Sequence, residues 1–208
     1  RRQRQMCIRD RPYIVNENVT PGTSPNFFAY YLAPNGDRTR LREAGYTEDE
    51  VPAGSHAQYV VPTQAYCDFL AEDARDTRTD VSVRVFEDKF LTEEVQIKRM
   101  VVKFKGSFAN DTRSFDSDVP VYRLAEAYLL KAEVENALGN TDAALQNLNV
   151  VAKRAYGVDN YYTARTQDAI DNAIISEILK EFVAESNAAR HKGFPFLLKF
   201  NSLQNISA

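Results

Sequence analysis

The chain has 208 residues, 44% of them hydrophobic and 26% charged, with a formal net charge of −3 and a pI near 5.5. That length suits one good-sized core or two small domains. No basic block is interleaved with aromatics, so the charge pattern of a nucleic-acid binder is missing, and no apolar run is long enough to cross a membrane as a helix.

Arg1 to Arg11 holds five Arg and one Asp and lacks apolar periodicity. It reads as a non-native tail, like translated adapter sequence, with a genuine basic tail as the alternative. Removing its +4 from the total of −3 leaves an acidic body at −7. Residues 12–117 form a loop-rich segment with short strands and a helix. Pro21-Gly22, Ser24-Pro25, Pro34-Asn35-Gly36-Asp37 and Pro52-Ala53-Gly54 punctuate its first part. An aromatic cluster, Phe27-Phe28-Ala29-Tyr30-Tyr31, lies among those turns. Thr63 is a candidate N-cap for a short helix carrying Tyr66, Phe69 and Leu70 at helical spacing. Two strands are predicted next, 81–86 by its alternation and 100–104 by its apolar run, and then a polar loop over 106–117.

Residues 118–208 read as a helical segment, truncated at its C-terminus. The first helix is predicted over 121–138 and stops at Gly139. Leu124, Tyr128 and Ala132 line one stripe and Ala127, Leu130, Val134 and Ala137 another, so burial on two sides is expected. The second helix starts after Asn140 or Thr141 and puts Ala144, Leu148, Val151 and Ala155 on one face. The short connection makes the pair an antiparallel hairpin. The third spans 167–186, with Ile170, Ile174, Ile178 and Phe182 at four-residue spacing. The hairpin carries one degenerate tetratricopeptide unit, Tyr128, Ala132, Gly139, Ala144 and Leu148, with no second copy at a fixed period.

Chemistry-bearing patterns are sparse. Cys7 and Cys67 have neither a disulfide-framework nor a zinc spacing, and His56 and His191 lack a partner at metal-ligating spacing. Ser55 sits in Ala53-Gly54-Ser55-His56-Ala57, which is no nucleophile elbow, and no phosphate-cradling glycine loop occurs. Glu181 and Glu185 stand four apart, side by side on one helix, and so cannot face each other across a glycosidic bond. Glu126 and Glu133 are expected to pair with Arg or Lys. Arg123, Asn149 and Arg154 are expected to tie loops to helix ends. No cofactor is implied.

Read together, Asp118-Val119-Pro120-Val121-Tyr122-Arg123-Leu124-Ala125-Glu126-Ala127-Tyr128-Leu129-Leu130 resembles the signature of the SusD/RagB family of outer-membrane nutrient-binding lipoproteins. The resemblance continues through Lys131-Ala132-Glu133, Asn136, Leu138-Gly139 and Leu148-Asn149-Val150-Val151-Ala152-Lys153-Arg154-Ala155, where Ala152 replaces a usual Arg. Its structural motif residues here are Asp118, Pro120, Arg123, Glu126, Glu133, Gly139, Asn149 and Arg154. Between 186 and 201 the chain departs from the family pattern: Ser186-Asn187 replaces a Gly, Phe196 an Asp and Lys199 an Arg. Cys7 follows Arg4-Gln5-Met6, outside any lipobox context.

The resemblance implies a mainly α fold, with tetratricopeptide-like helix hairpins, irregular loops and a small β excursion. It implies a surface-facing subunit, lipid-anchored to the outer membrane, that is not an enzyme. Such a subunit binds a glycan, an oligosaccharide or sometimes a peptide, and works with a SusC-like TonB-dependent transporter. A tetratricopeptide-like protein-interaction scaffold is the alternative. Stacking on a sugar ring needs flat aromatic faces beside planar polar groups. Phe28, Tyr30 and Tyr31 with Arg38, and Tyr161 with Tyr162, are the ligand-binding candidates. Packing of loops onto helices is the competing role for both clusters. The chain has no Trp.

Overall fold

The computed structural model of the chain describes residues 42, 47, 60–88, 96–103, 107–109, 112–114, 120, 122–185 and 198–200. Phe28, Tyr30, Tyr31, Arg38 and Asp118 lie outside the described residues. Contacts divide the described chain into two units, one of residues 70–78, 120 and 122–185, the other of 42, 47, 60–69, 79–88, 96–103, 107–109, 112–114 and 198–200. The architecture is mainly helical with short antiparallel β pairs, as the sequence predicts.

The strand unit opens with β1 (Val60–Pro62), which pairs antiparallel with β6 (Leu198–Phe200), Val60 opposite Phe200. This pairing sets the register of a segment that departs from the family pattern. Helix α1 (Gln64–Ala71) follows, and the Thr63 hydroxyl accepts the Tyr66 N–H at 3.1 Å, the predicted N-cap. The strand at 81–86 is displaced. Thr79–Ser82 form one helical turn, α2, and β2 runs Val83–Asp88 against β3, Gln96–Val101. The turn breaks the alternation that the sequence suggests, so Val83 is buried while Val81 and Val85 face solvent. β3 lies earlier than 100–104 because its ladder ends at Val83↔Val101; the Val102 N–H continues past it to the Ser82 carbonyl at 2.9 Å. Arg99 of β3 donates to the Pro62 carbonyl and to Gln64, binding β3 to the end of β1. The polar loop at 106–117 contains a hairpin instead, β4 (Ser107–Ala109) with β5 (Thr112–Ser114).

In the helical unit α3 (Leu124–Ala137) and α4 (Thr141–Tyr156) form the hairpin, and α5 (Gln167–Glu181) packs on both. Gly139, at φ +79°, makes a Schellman stop: its N–H reaches the Asn136 carbonyl and the Asn140 N–H the Glu135 carbonyl. Ala132, Ala144 and Leu148 are fully buried and Tyr128 partly so. The expectation that α3 is buried on two sides is overturned. Leu129, Ala132 and Asn136 form one inward stripe toward α4 and α5, while Ala127, Leu130, Val134 and Ala137 are exposed. α3 also starts later than predicted, with Arg123 extended at its N-cap.

α5 ends at Glu181 rather than near 186, although Ile170, Ile174, Ile178 and Phe182 are buried as expected. The reason is Arg123. Its guanidinium takes the Glu181 carbonyl at 2.9 Å, the acceptor that the Glu185 N–H would use to continue the helix. The Glu185 N–H turns to the Phe182 carbonyl, and Ala184 adopts φ +58°.

Ala132 sits where two helix axes approach, so Ala132→Leu should overpack the α3–α4 contact and cost about 1–3 kcal/mol in urea unfolding. Parent-like stability would show that the contact lies elsewhere.

Candidate functional site

α4 ends at Gly157, φ +69°, and Asn160, φ +53°, turns the chain back along it. Two left-handed residues in four bring the following tyrosines against the helix they have just left. Tyr161 stacks face to face on Tyr156, with centroids 3.8 Å apart and planes within 2°, and Tyr162 meets Tyr161 edge-on at 4.9 Å. Asn149 then fastens the loop: it donates to the Tyr162 carbonyl at 2.9 Å and accepts the Tyr162 N–H at 2.8 Å. The Tyr161 hydroxyl donates to Asp73 at 2.9 Å, and Asp73 also holds Arg75.

Under the tyrosines lies Glu177, fully buried. Its carboxylate accepts hydrogen bonds from Arg78 at 2.8 Å, Tyr162 at 2.9 Å and Tyr156 at 3.1 Å. Arg78 is itself buried and grips Asp76 with two 2.8 Å bonds. Lys180 approaches the Tyr156 hydroxyl at 3.4 Å and Asp76 at 4.0 Å. Burial, then the Glu177 charge, pushes both the Tyr156 and Tyr162 hydroxyls up, which keeps them protonated and able to donate.

A second knot sits at the end of α5. Arg123 donates to Glu181 at 2.5 Å and clasps Glu185 with bonds of 2.8 and 2.9 Å, its guanidinium 4.7 Å from the Phe182 ring centre. Arg154 of α4 also binds Glu181. Burial alone raises the Glu181 carboxyl, but Arg123 and Arg154 outweigh it and hold it at about 2.

On the outer side of the same loop a groove of about 440 Å³ runs along α4. One wall is the α4 stripe Asp142, Gln146, Asn149 and Lys153, and the other comes from Asp159, Asn160, Tyr162, Thr163 and Arg165. Leu145 and Val150 add apolar surface. Ion pairs cross it at both ends, Arg165 to Asp142 at 2.6 Å and Lys153 to Asp159 at 2.5 Å. Among the described residues no group of three or more His, Cys, Asp or Glu could hold a metal, and no helix is long and apolar enough to cross a membrane.

The sequence profile of the SusD family matches residues 28–189. The chain belongs to the SusD family. In fold it is similar to a SusD superfamily protein of Bacteroides fragilis NCTC 9343, with TM-score 0.59 and 27% identity over 75% of this chain and 35% of that one. A SusD superfamily protein of Bacteroides vulgatus ATCC 8482 matches with TM-score 0.50 and 26% identity, over 66% of this chain and 33% of that one. The B. fragilis NanU structure shares the fold at TM-score 0.52 and 22% identity, over 76% and 36%. The chain spans about a third of the length of each of these structures. No curated protein sequence matches it.

Several residues that the sequence reading puts in the family motif act as fasteners in the structure, among the described residues. Arg123 and Arg154 converge on Glu181, Asn149 holds the loop, and Gly139 closes α3. Pro120 is half-buried before α3 and Glu126 is buried in its first turn. Glu133 is exposed and makes no ion pair among the described residues, contrary to expectation, because it points away from α4 and α5. Tyr161 and Tyr162 are both partly buried and committed to internal contacts, and only Tyr162 reaches the groove. The Arg78–Glu177 pair was missed. A lone Arg in Asp76-Thr77-Arg78 and a Glu inside the apolar face of α5 gave a signal only as a charge where Ile174 and Ile178 predict burial.

Because the folded state holds Glu181 at about 2 against an ordinary 4.5, it takes up that proton later than the unfolded chain does. The stability this supplies is complete above about pH 4.5 and is lost as pH falls toward 2. Glu181→Gln should therefore lower stability at neutral pH and flatten its decline between those limits in urea unfolding. An acid limb as steep as the parent's would remove Glu181 from the account.

Proposed function

We propose that this chain is part of a surface glycan- or oligosaccharide-binding subunit, a lipid-anchored outer-membrane protein that hands its ligand to a SusC-like TonB-dependent transporter. The observation that carries this reading is the SusD family match over residues 28–189, supported by the SusD superfamily fold at TM-score 0.59. It is a binding role, not catalysis. Within it, the helical unit serves as a frame braced by buried ion pairs, and loops supply recognition. Phe28, Tyr30, Tyr31 and Arg38 are proposed to contact the ligand, along with the outer edge of Tyr162; Tyr161 positions that edge through its stack on Tyr156.

A tetratricopeptide-like interaction scaffold is the second reading, favoured by one observation: Leu130 and Val134 of α3, with Leu138 at its C-cap, leave an apolar stripe open to solvent.

Calorimetry of the full-length lipoprotein against a panel of oligosaccharides separates the two. Glycan binding is expected, with Tyr30→Ala/Tyr31→Ala weakening it by about 1 kcal/mol or more through lost stacking. Unchanged affinity with an intact circular dichroism spectrum would reduce those tyrosines to loop packing. Binding of peptides and no glycan would favour the scaffold.

A further inference from the structure

The groove along α4 is built more firmly than a surface crease. Loops beside helices ordinarily close down or move, but here Asn149 brackets Tyr162 of the far wall with a donor and an acceptor. The Arg165–Asp142 and Lys153–Asp159 ion pairs across the groove are exposed and add little to this. Behind that wall the Tyr156–Tyr161 stack and the buried Glu177 keep the loop from sinking inward. A cleft held open before any ligand arrives avoids the ordering cost of binding. Its volume of about 440 Å³ lies within the ordinary range for small-molecule sites, roughly 300–1,000 Å³.

Its charges choose the ligand. Two cations and two carboxylates line the groove, and each cation is already matched to a carboxylate. The two signs cancel, so the groove as a whole favours neither an anion nor a cation. What stays uncommitted among the described residues is neutral: the Gln146 and Asn160 amides and the Thr163 hydroxyl make no side-chain hydrogen bond there. Planar amides and a hydroxyl beside the apolar surface of Val150 suit a neutral polyhydroxylated ring, which offers hydroxyls at its rim and C–H groups on its face.

We propose that the groove between α4 and residues 159–165 is a binding subsite for one or two rings of a neutral saccharide, with Gln146, Asn160 and Thr163 as its hydrogen-bonding residues. It lies on the helical frame itself. The choice of a sugar over other neutral polar solutes rests on the glycan-binding reading.

The test is an amide-shift NMR titration of the whole chain with maltose, cellobiose and lactose, and with glucuronate and inorganic phosphate as anionic probes. At least one neutral disaccharide should shift amides within 142–165, and the anions should not. Gln146→Ala/Asn160→Gly removes both amides and keeps a residue at 160 suited to positive φ. It should weaken that disaccharide about tenfold, the loss expected for two hydrogen bonds, without changing the melting temperature. Groove shifts with anions alone, or with none of the probes, would overturn the inference, as would equal affinity of the double variant. The same variant in the full-length lipoprotein separates this claim from the broader one. Parent-like glycan binding there defeats the subsite and leaves the proposed function standing, whereas a parent lipoprotein that binds no glycan defeats the proposed function.

Discussion

A carboxylate with no access to water must find its hydrogen bonds inside the protein, and Glu177 finds them in three places far apart in sequence. Arg78 arrives from the segment after α1, Tyr156 from the last turn of α4, and Tyr162 from the loop beyond it. Each donor is held in turn: Arg78 by Asp76, Tyr156 by the Tyr161 stack, Tyr162 by Asn149. Burying a charge pair is at best near neutral against a well-packed apolar core, but removing one partner from it is expensive. The value of such a cluster is therefore in geometry. It admits one arrangement of the 76–78 segment, α4, α5 and the loop and penalises the rest.

The Arg123 knot applies the same logic at the other end of α5. By taking the Glu181 carbonyl, Arg123 both stops the helix and turns Glu185 back to be clasped. Glu181 then joins α5 to α4 through Arg154. Asn136 adds a third fastening, donating to the Gln167 carbonyl and to Asp171 and so tying the last turn of α3 to the first of α5. Polar residues thus position helices whose apolar contacts alone would let them slide. The groove outside α4 inherits its shape from the loop that Asn149 and the tyrosine stack hold against the helix.

Much of this was legible in the residues, for identifiable reasons. Period 3.6 in Ala144, Leu148, Val151 and Ala155, and in Ile170, Ile174 and Ile178, marked the buried faces, and Gly139 marked a stop whose left-handed φ needs no Cβ. The motif running from Asp118 to Ala155 carried the family. What escaped were features decided by distant partners. The end of α5 depends on an Arg 58 residues earlier in the chain. The exposure of Leu130 and Val134 depends on both neighbouring helices choosing one side of α3, which apolar spacing cannot reveal. The short β2 shifted because one helical turn at 79–82 outcompeted an alternating pattern. Sequence marked Tyr161 and Tyr162 as aromatic faces suited to a sugar, yet their environment spends most of that surface on each other and on Tyr156.

The central claim, that the buried cluster around Glu177 organises the helical unit, is tested most directly by native-state hydrogen exchange on Arg78→Met. This variant leaves Asp76 and Glu177 buried without their shared cation, at a cost of about 3–5 kcal/mol. Two amides report on separate parts of the unit: Thr77, bonded to the Ala155 carbonyl, and Tyr162, bonded to the Asn149 side chain. The account predicts that both lose protection together, with a matching fall in global stability. Loss at Thr77 alone, with Tyr162 as protected as in the parent, would contradict it.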